Sequence, residues 1–539
     1  MPALRRRLLG EGAVVENFMV NTPICCPSRT EFFTGRYFHN VGPPTVEGGC
    51  MHADTTRAGS NRTGMFGLMK RAGYNVGVFG KVTNDQTRML QQLGDESSAD
   101  FIDAPVDYND YDGMRYWQYW DANRSTHMEK LSKTDPIFGT PYQTTQIGNR
   151  TLRWLDAAID AATGTTTAAA IEAAADAATA GAAAAGTPFF AYIGPHAPHY
   201  PAQPAPWYEH AFDDVDAPRT PNYNLSSPDK AAHVRQNPPL DAGAACWENQ
   251  HFRDRWSSLL SVDDLIRDVY DKLEARGVLD TTFILYSSDH GYKQGQWRIG
   301  TSKQHPYETD IRAPFIMRGP GVRAGANFTA QISGNVDVMP TMLHLAAGRA
   351  FLRAVDLDGR SMASFMVAGV DEGEEGGFAD PPAWRDHFLN EYLSVATYWN
   401  DHSEIWQDGN TTSRLCGTDT SGKGAGPRGP GGTFPTNCVE SAGVGDGKCY
   451  FVDSTQSNSW RQLRVNNATI NWNYLEYDPD WKFYVRDASG AGLQHYELYD
   501  IAADPYQMNN LYAGTSMEVR TALHAQLAQY YTCKGASCP

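Results

Sequence analysis

Four short apolar runs constrain the fold of this chain more than any other feature. They are YNVGVFGK (74–81), PFFAYIGP (188–195), TTFILYSSDHG (281–291) and APFIMRGPG (313–321). Each is too short for a helix, is rich in β-branched or aromatic residues and is bounded by Gly, Pro or charge, as buried strands are. Three run straight into Gly, His or Lys, the pattern of strands whose ends carry a site. Between them, SLLSVDDLIRDVYDKLEARG (258–277) places Leu259, Val262, Leu265, Ile266, Val269 and Leu273 on one helical face, with Gly277 suited to the helix C-terminus. Alternation of this kind predicts an α/β sheet with helices on both faces.

With 539 residues, the chain is expected to form one large domain, residues 1–385, and a smaller α+β domain, residues 386–539. The smaller one has a different texture: NATINWNYLEYD, WKFYVRD and HYELYDI predict short antiparallel strands, and 517–531 a closing helix. Three segments resemble insertions: an Ala-rich stretch at 156–186, an acidic loop at 371–377 and a Gly-rich stretch at 421–432. A formal charge of −17, with no strongly basic block, argues against a nucleic-acid partner. An anionic substrate would need local Lys and Arg, because the overall field repels it. No apolar run is long enough to span a membrane.

The N-terminal MPALRRRLLGEGAVVENF lacks the apolar core of a signal peptide. Seven Asn-x-Ser/Thr sequons, at Asn61, Asn123, Asn149, Asn224, Asn327, Asn410 and Asn467, nevertheless point to a secreted or lysosomal route. Setting Cys25 aside leaves eight of the nine cysteines available for pairing in an oxidising compartment. The missing leader beside these features suggests an incomplete N-terminus.

The chemistry concentrates in CCPSRTEFFTGR (25–36). Cys25, Pro27, Ser28 and Arg29, followed by Thr34, Gly35 and Arg36, resemble the signature of the type I sulfatases. The resemblance implies an alkaline-phosphatase-like sandwich, with a large mixed sheet flanked by helices. It also implies that a formylglycine-generating enzyme oxidises Cys25 to formylglycine (3-oxoalanine). A sulfate ester resists attack, and an aldehyde hydrate splits the hard displacement into two easier steps. A helix starting here would favour the anion through its N-terminus, and Arg29 would add a charge-assisted contact.

Asp289 and His290 close the third run and offer mixed donors for a hard divalent cation. The resemblance implies that they bind one Ca2+ together with residue 25. It likewise implies that Lys81 and Lys303 reach the sulfate, and that a histidine of PHAPHYPAQ (195–203) protonates the leaving alcohol. His199 fits that role, with His196 as its rival. Thr83 stands where many relatives have histidine, whereas Asn84 fits a subgroup resembling glucosamine-6-sulfatases. Together with ELYDIAADPYQMNNL near the end, these motifs point to a sulfated carbohydrate as substrate, N-acetylglucosamine-6-sulfate-like. A catalytically inactive sugar-binding protein and a phosphonate or phosphodiester hydrolase are the alternatives.

Family members begin with a strand ending in two metal-binding aspartates. Here Glu11 and Glu16 lie in another pattern and do not replace that pair. The expected consequences are a weakly held ion and a gap in the sheet with unpaired edges beside it.

Overall fold

The computed structural model describes residues 1–41, 64–83, 142–165, 186–199, 204–235, 242–299, 303–370, 384–393, 458–478 and 495–539. It also describes the strands at 101–105, 117–120, 126–129, 438–440 and 449–451, and residues 202, 237, 239 and 240. In chain order, the described strands before residue 385 are β1 (Ala13–Met19), β2 (Asn75–Gly80), β3 (Phe101–Pro105), β4 (Trp117–Trp120), β5 (Thr126–Glu129), β6 (Phe189–Gly194), β7 (Ile284–Ser287), β8 (Phe315–Arg318) and β9 (Asn327–Gly334). The principal helices are α1 (Cys25–Thr34), α2 (Met65–Arg71), α3 (Gln143–Thr163), α4 (Ala242–Ala275), α5 (Val338–Arg353) and α6 (Met517–Ala528).

All four apolar runs form strands, as β2, β6, β7 and β8. The fold is the mixed α/β architecture expected; among the described strands these four fall in the mixed sheets β7-β8-β1-β9 and β5-β4-β3-β2-β6. In the first, β1 runs antiparallel to β8 and parallel to β9. In the second, β2 lies parallel to both β3 and β6. Among the described strands, β6 and β7 each end a sheet. Their residues are largely half-buried, as single-sided pairing leaves them.

The amphipathic stretch at 258–277 is the second half of a longer helix, α4. Val262, Leu265 and Leu273 are buried, and Leu265 and Leu273 pack with Ile147, Trp154, Leu155 and Ile159 of α3. The helix ends at Ala275, and Gly277, at φ +67°, turns the chain away as expected. Asp263 of α4 accepts from the backbone N–H groups of Ala3 and Leu4 (2.8 Å each), fixing the first residues against the helix. Residues 156–163 of the Ala-rich stretch continue α3, whereas the two other insertions and WKFYVRD lie outside the described residues.

A separate antiparallel sheet follows, formed by β10 (His387–Tyr392), β13 (Trp460–Asn466), β14 (Asn471–Tyr477) and β15 (His495–Asp500), in that order. The short strands β11 (Cys438–Glu440) and β12 (Cys449–Phe451) pair with each other. Leu523 and Leu527 of α6 pack into the same apolar cluster as Leu463, Tyr474 and Leu498 of the sheet.

This sheet is joined to the larger part by buried polar contacts. Arg464 Nε donates to Glu308 Oε1 (2.7 Å). Lys230 Nζ donates to the Tyr499 hydroxyl (2.7 Å) and lies 4.0 Å from the Trp297 ring centroid.

Candidate active site

The site lies where the ends of β2 and β7 meet the start of α1. Helix α1 begins at Cys25 itself, with Pro27 in its first turn, where the absent N–H is no loss. It ends at Gly35, whose φ of +62° is the left-handed cap that a glycine accepts without strain. Gly35 therefore completes the helix rather than the chemistry. Arg36 turns outward and donates to the Asp356 carbonyl.

Cys25 is 3% exposed and is the free cysteine among the described residues. Its neighbour Cys26 is disulfide-bonded, as are Cys246 and the Cys533–Cys538 pair. Lys303 Nζ donates to Cys25 Sγ at 2.9 Å, and His290 Nε2 lies 3.6 Å from the same sulfur. His199 hydrogen-bonds Cys25 as well, with His196 behind it at a ring separation of 4.6 Å. Of the two candidate histidines, His199 is thus the one that meets residue 25.

Arg29 donates from Nε to Asp289 Oδ2 (2.8 Å) and from Nη1 to the Lys81 carbonyl and the Tyr192 hydroxyl (2.9 Å each). With those nitrogens engaged, Arg29 acts on the arrangement of Asp289 and Lys81. The Tyr192 hydroxyl also donates to the Lys81 carbonyl (2.9 Å). Gly80, at φ +75°, turns the chain so that the Lys81 N–H reaches the Gly194 carbonyl (2.8 Å). A Cβ at Gly80 would stand 2.3 Å from that carbonyl oxygen, so no other residue fits there. Asn84 lies outside the described residues.

A supporting layer escapes any reading of motifs. Lys293, buried, donates to the Lys303 carbonyl (2.9 Å) and pairs with Asp310 (3.2 Å). Ser28 donates to the Asp289 carbonyl. Asn335, just beyond β9, donates to the Ser28 carbonyl (3.1 Å) and to Glu31 Oε2 (2.8 Å). These bonds hold the start of α1 against the loop after β7.

Electrostatics follow from burial and an excess of cations. Burial alone would raise the Cys25 thiol, but Lys303 and Lys81 draw it well below its ordinary value. Burial lowers Lys81 to about 8 against the opposing pull of Cys25. Burial likewise brings His199 to about 4, helped by Lys303 and Lys81 and opposed by its bond to Cys25. Asp289 is held below the usual carboxylate range, since Arg29 and His290 outweigh its burial.

Among the described residues, Cys25, Asp289 and His290 are the group whose donor atoms could share a metal ion, all within 4.8 Å of one another. Glu11 is bonded to Tyr270 (2.6 Å) and Glu16 to Asn327 (3.0 Å), so neither joins them. One carboxylate already paired with Arg29, one imidazole and residue 25, even were it to offer oxygen in place of sulfur, are too few among the described residues to fit Ca2+, which takes six or more oxygens.

Of the sequons, Asn327 and Asn467 are exposed. Asn149 lies within α3, and the Asn224 side chain is bonded through both amide atoms to Leu240 (3.1 and 2.8 Å). Asn61, Asn123 and Asn410 lie outside the described residues. No described helix is long and apolar enough to cross a membrane.

The family model described as Sulfatase matches residues 1–348. The N-acetylglucosamine-6-sulfatase of Capra hircus is 26% identical over 543 residues, covering 99% of this chain and 80% of that one. Two solved structures share the fold. One is a protein in complex with its substrate D-glucosamine-2-N,6-O-disulfate (TM-score 0.61, 17% identity, covering 98% of this chain and 92% of that one). The other is the phosphonate monoester hydrolase of Agrobacterium radiobacter (TM-score 0.54, 16% identity, covering 98% and 91%).

Proposed function

The chain belongs to the sulfatase family and is a sulfuric ester hydrolase, and on that premise we propose that residue 25, as formylglycine, is its nucleophile and a sulfated sugar its substrate. The observation that most supports this is the position of Cys25 Sγ, 2.9 Å from Lys303 Nζ at the first residue of α1. The sulfur stands in for a hydrate oxygen. Such an oxygen fits the place, because residue 25 is left out of the disulfides that its neighbour joins and faces the nitrogens of Lys303, Lys81, His199 and His290. As its hydrate, a formylglycine here would offer one hydroxyl oxygen to sulfur as the alcohol departs, and loss of the proton from the other hydroxyl would re-form the aldehyde as the carbon–oxygen bond to sulfate breaks.

The protein's own side chains do the rest. Lys303 and Lys81 meet the sulfate anion and the charge that grows on its oxygens and on the leaving oxygen. Arg29 and Tyr192 fix the Lys81 backbone, and Lys293 fixes that of Lys303. His199 delivers a proton to the leaving alcohol. The negative charge of a bound sulfate ester beside it raises its affinity for that proton. No step runs through a metal, since the described donors do not fit calcium.

The N-acetylglucosamine-6-sulfatase relative makes a 6-sulfated amino sugar the first substrate to try. Likeness to a phosphonate monoester hydrolase keeps phosphonate esters as the second reading. Disulfides at Cys26, Cys246 and Cys533–Cys538 favour a lysosomal or secreted protein.

The test is turnover of an aryl sulfate against an aryl phosphonate by protein co-expressed with the formylglycine-generating enzyme, with mass mapping of the Cys25 peptide. Expected are the mass loss of thiol-to-aldehyde conversion and preferential cleavage of the sulfate. An intact thiol in protein that still cleaves sulfate, or preference for the phosphonate, would overturn the proposal.

A further inference from the structure

Helix α4 carries three arginines and a fourth follows its end, and one of the four is unlike the others. Arg253 pairs with Asp216 (2.8 Å), Arg267 with Asp264 (2.7 Å) and Arg276, just past the helix end, with Asp156 (2.9 Å). Arg255 has no carboxylate partner among the described residues. Its guanidinium lies over the ring of Tyr292, 3.9 Å from the centroid. Its Nε is buried without a hydrogen-bond acceptor, although the residue as a whole is partly exposed. A buried N–H without an acceptor is costly, and native structures avoid it unless a ligand or water serves.

The position of this arginine gives the unmet donor a meaning. His251, one helical turn earlier, shares the face of Arg255, and its Nε2 stands 3.3 Å from the Tyr292 hydroxyl. Tyr292 follows His290, the residue 3.6 Å from Cys25 Sγ, by two positions. His251 also feels His199: burial, then the charges of Arg255 and His199, hold it well below its ordinary value. Arg255 therefore stands at the flank of the loop that carries Asp289 and His290, with a planar face fixed by stacking and its Nε–H unmet.

We propose that Arg255, held flat against Tyr292, binds a second anionic group of the substrate beside the scissile sulfate. The group is a carboxylate or a further sulfate, borne by the same sugar or by the adjoining one. A planar guanidinium fixed in advance suits either, because both present two oxygens at the spacing of its paired N–H groups. The inference rests on the sulfatase reading above and adds a specificity determinant to it.

The experiment compares wild-type, Arg255→Gln and Arg255→Lys on three substrates. These are glucosamine-6-sulfate, glucosamine 2-N,6-O-disulfate, and a 6-sulfated glucosamine linked to a uronic acid. The quantity read is the preference in kcat/KM for each two-anion substrate over the one-anion sugar. Arg255→Gln is expected to cut that preference by about tenfold or more, the scale of a lost charge-assisted bond, mainly through KM, with Arg255→Lys recovering part. Loss confined to the disulfate assigns the site to sulfate, and loss confined to the uronate assigns it to carboxylate. An unchanged preference in both overturns the proposal, as does an equal loss on all three substrates. Should the wild-type protein cleave no sulfate ester, the reading of its reaction fails separately. Calorimetric binding of the disulfate and of the uronate-linked sugar to wild-type and Arg255→Gln then decides this site, equal affinities of the two proteins for both ligands overturning it.

Discussion

Lys303 Nζ and Cys25 Sγ are 2.9 Å apart although 278 residues separate them in sequence. Lys293, itself paired with buried Asp310, anchors the Lys303 carbonyl. Lys303 keeps its proton firmly: burial opposes the charge, but Cys25 and Asp289 outweigh it. A cation so fixed has no reorganisation left to do when charge develops on the sulfuryl oxygens. Lys303→Ala is therefore expected to lower kcat on an aryl sulfate by about 100-fold or more. Lys293→Met, which touches no substrate, is expected to give a smaller loss together with a lower melting temperature. Steady-state kinetics and calorimetry on both variants check this, and a Lys303→Ala enzyme within a few-fold of wild type would sink the assignment.

Gly80 makes a second, purely geometric prediction. Its φ of +75° and the 2.3 Å that a Cβ would leave to the Gly194 oxygen mean that Gly80→Ala must displace the start of residue 81. The Lys81 backbone is held by Gly194, Arg29 and Tyr192, so the displacement is transmitted to the site. Expected are a destabilisation of about 1–3 kcal/mol and a fall in kcat/KM larger than Ala substitution at Gly73 produces. Gly73 also has positive φ, but a Cβ there would meet nothing within 4 Å. Equal effects at the two glycines would show that strain alone, and not the link to Lys81, is at work.

The two strands that deliver Lys81 and Asp289 were legible because an apolar run that stops at a charged residue is seldom anything but a buried strand reaching the edge of the core. Cys25 was legible through its fixed-spacing neighbours. Tyr192 and Tyr292 were not, since a tyrosine inside or just after an apolar run resembles core until its hydroxyl is seen to meet Arg29 or His251. Strand β1 was missed because Glu16 and Asn17 interrupt its apolar character; pairing on both sides with β8 and β9 overrides that weak local signal. The first half of α4 was missed for a similar reason, because Ala242–Ser257 offers no continuous apolar stripe. Lys293, a lysine in a polar loop, gives no sequence signal at all of its complete burial against Asp310.

The poverty of oxygen donors around residue 25 among the described residues predicts a feeble response to calcium. One carboxylate with one oxygen given to Arg29 supports at best millimolar binding, the range of the weakest protein sites. At about 1 mM calcium such binding adds under about 1 kcal/mol, a rise in melting temperature of no more than about 2 °C. Thermal shift with and without chelator measures it directly, and isothermal calorimetry gives the affinity. Micromolar binding would reveal further oxygen ligands outside the described residues.

Acid should loosen the antiparallel sheet of β10 and β13 through Glu391. This carboxylate of β10 is buried, which alone would raise it, yet His39 at 2.7 Å and Arg461 at 3.2 Å bring it down to about 2. Its ordinary value is 4.5. The unfolded chain therefore binds a proton at higher pH than the folded one does. The stabilisation, about 3 kcal/mol, is complete above pH 4.5 and is lost as pH falls toward 2. Glu391→Gln removes the titration and leaves the buried Arg461 guanidinium uncompensated, so the variant should melt below wild type at pH 6. The gap should then narrow steadily from pH 4.5 downward, because wild type alone is losing the contribution. Melting temperatures of the two proteins between pH 7 and pH 3 decide the matter: parallel curves would mean that Glu391 does not titrate in this range and that its partners hold it by geometry rather than by charge.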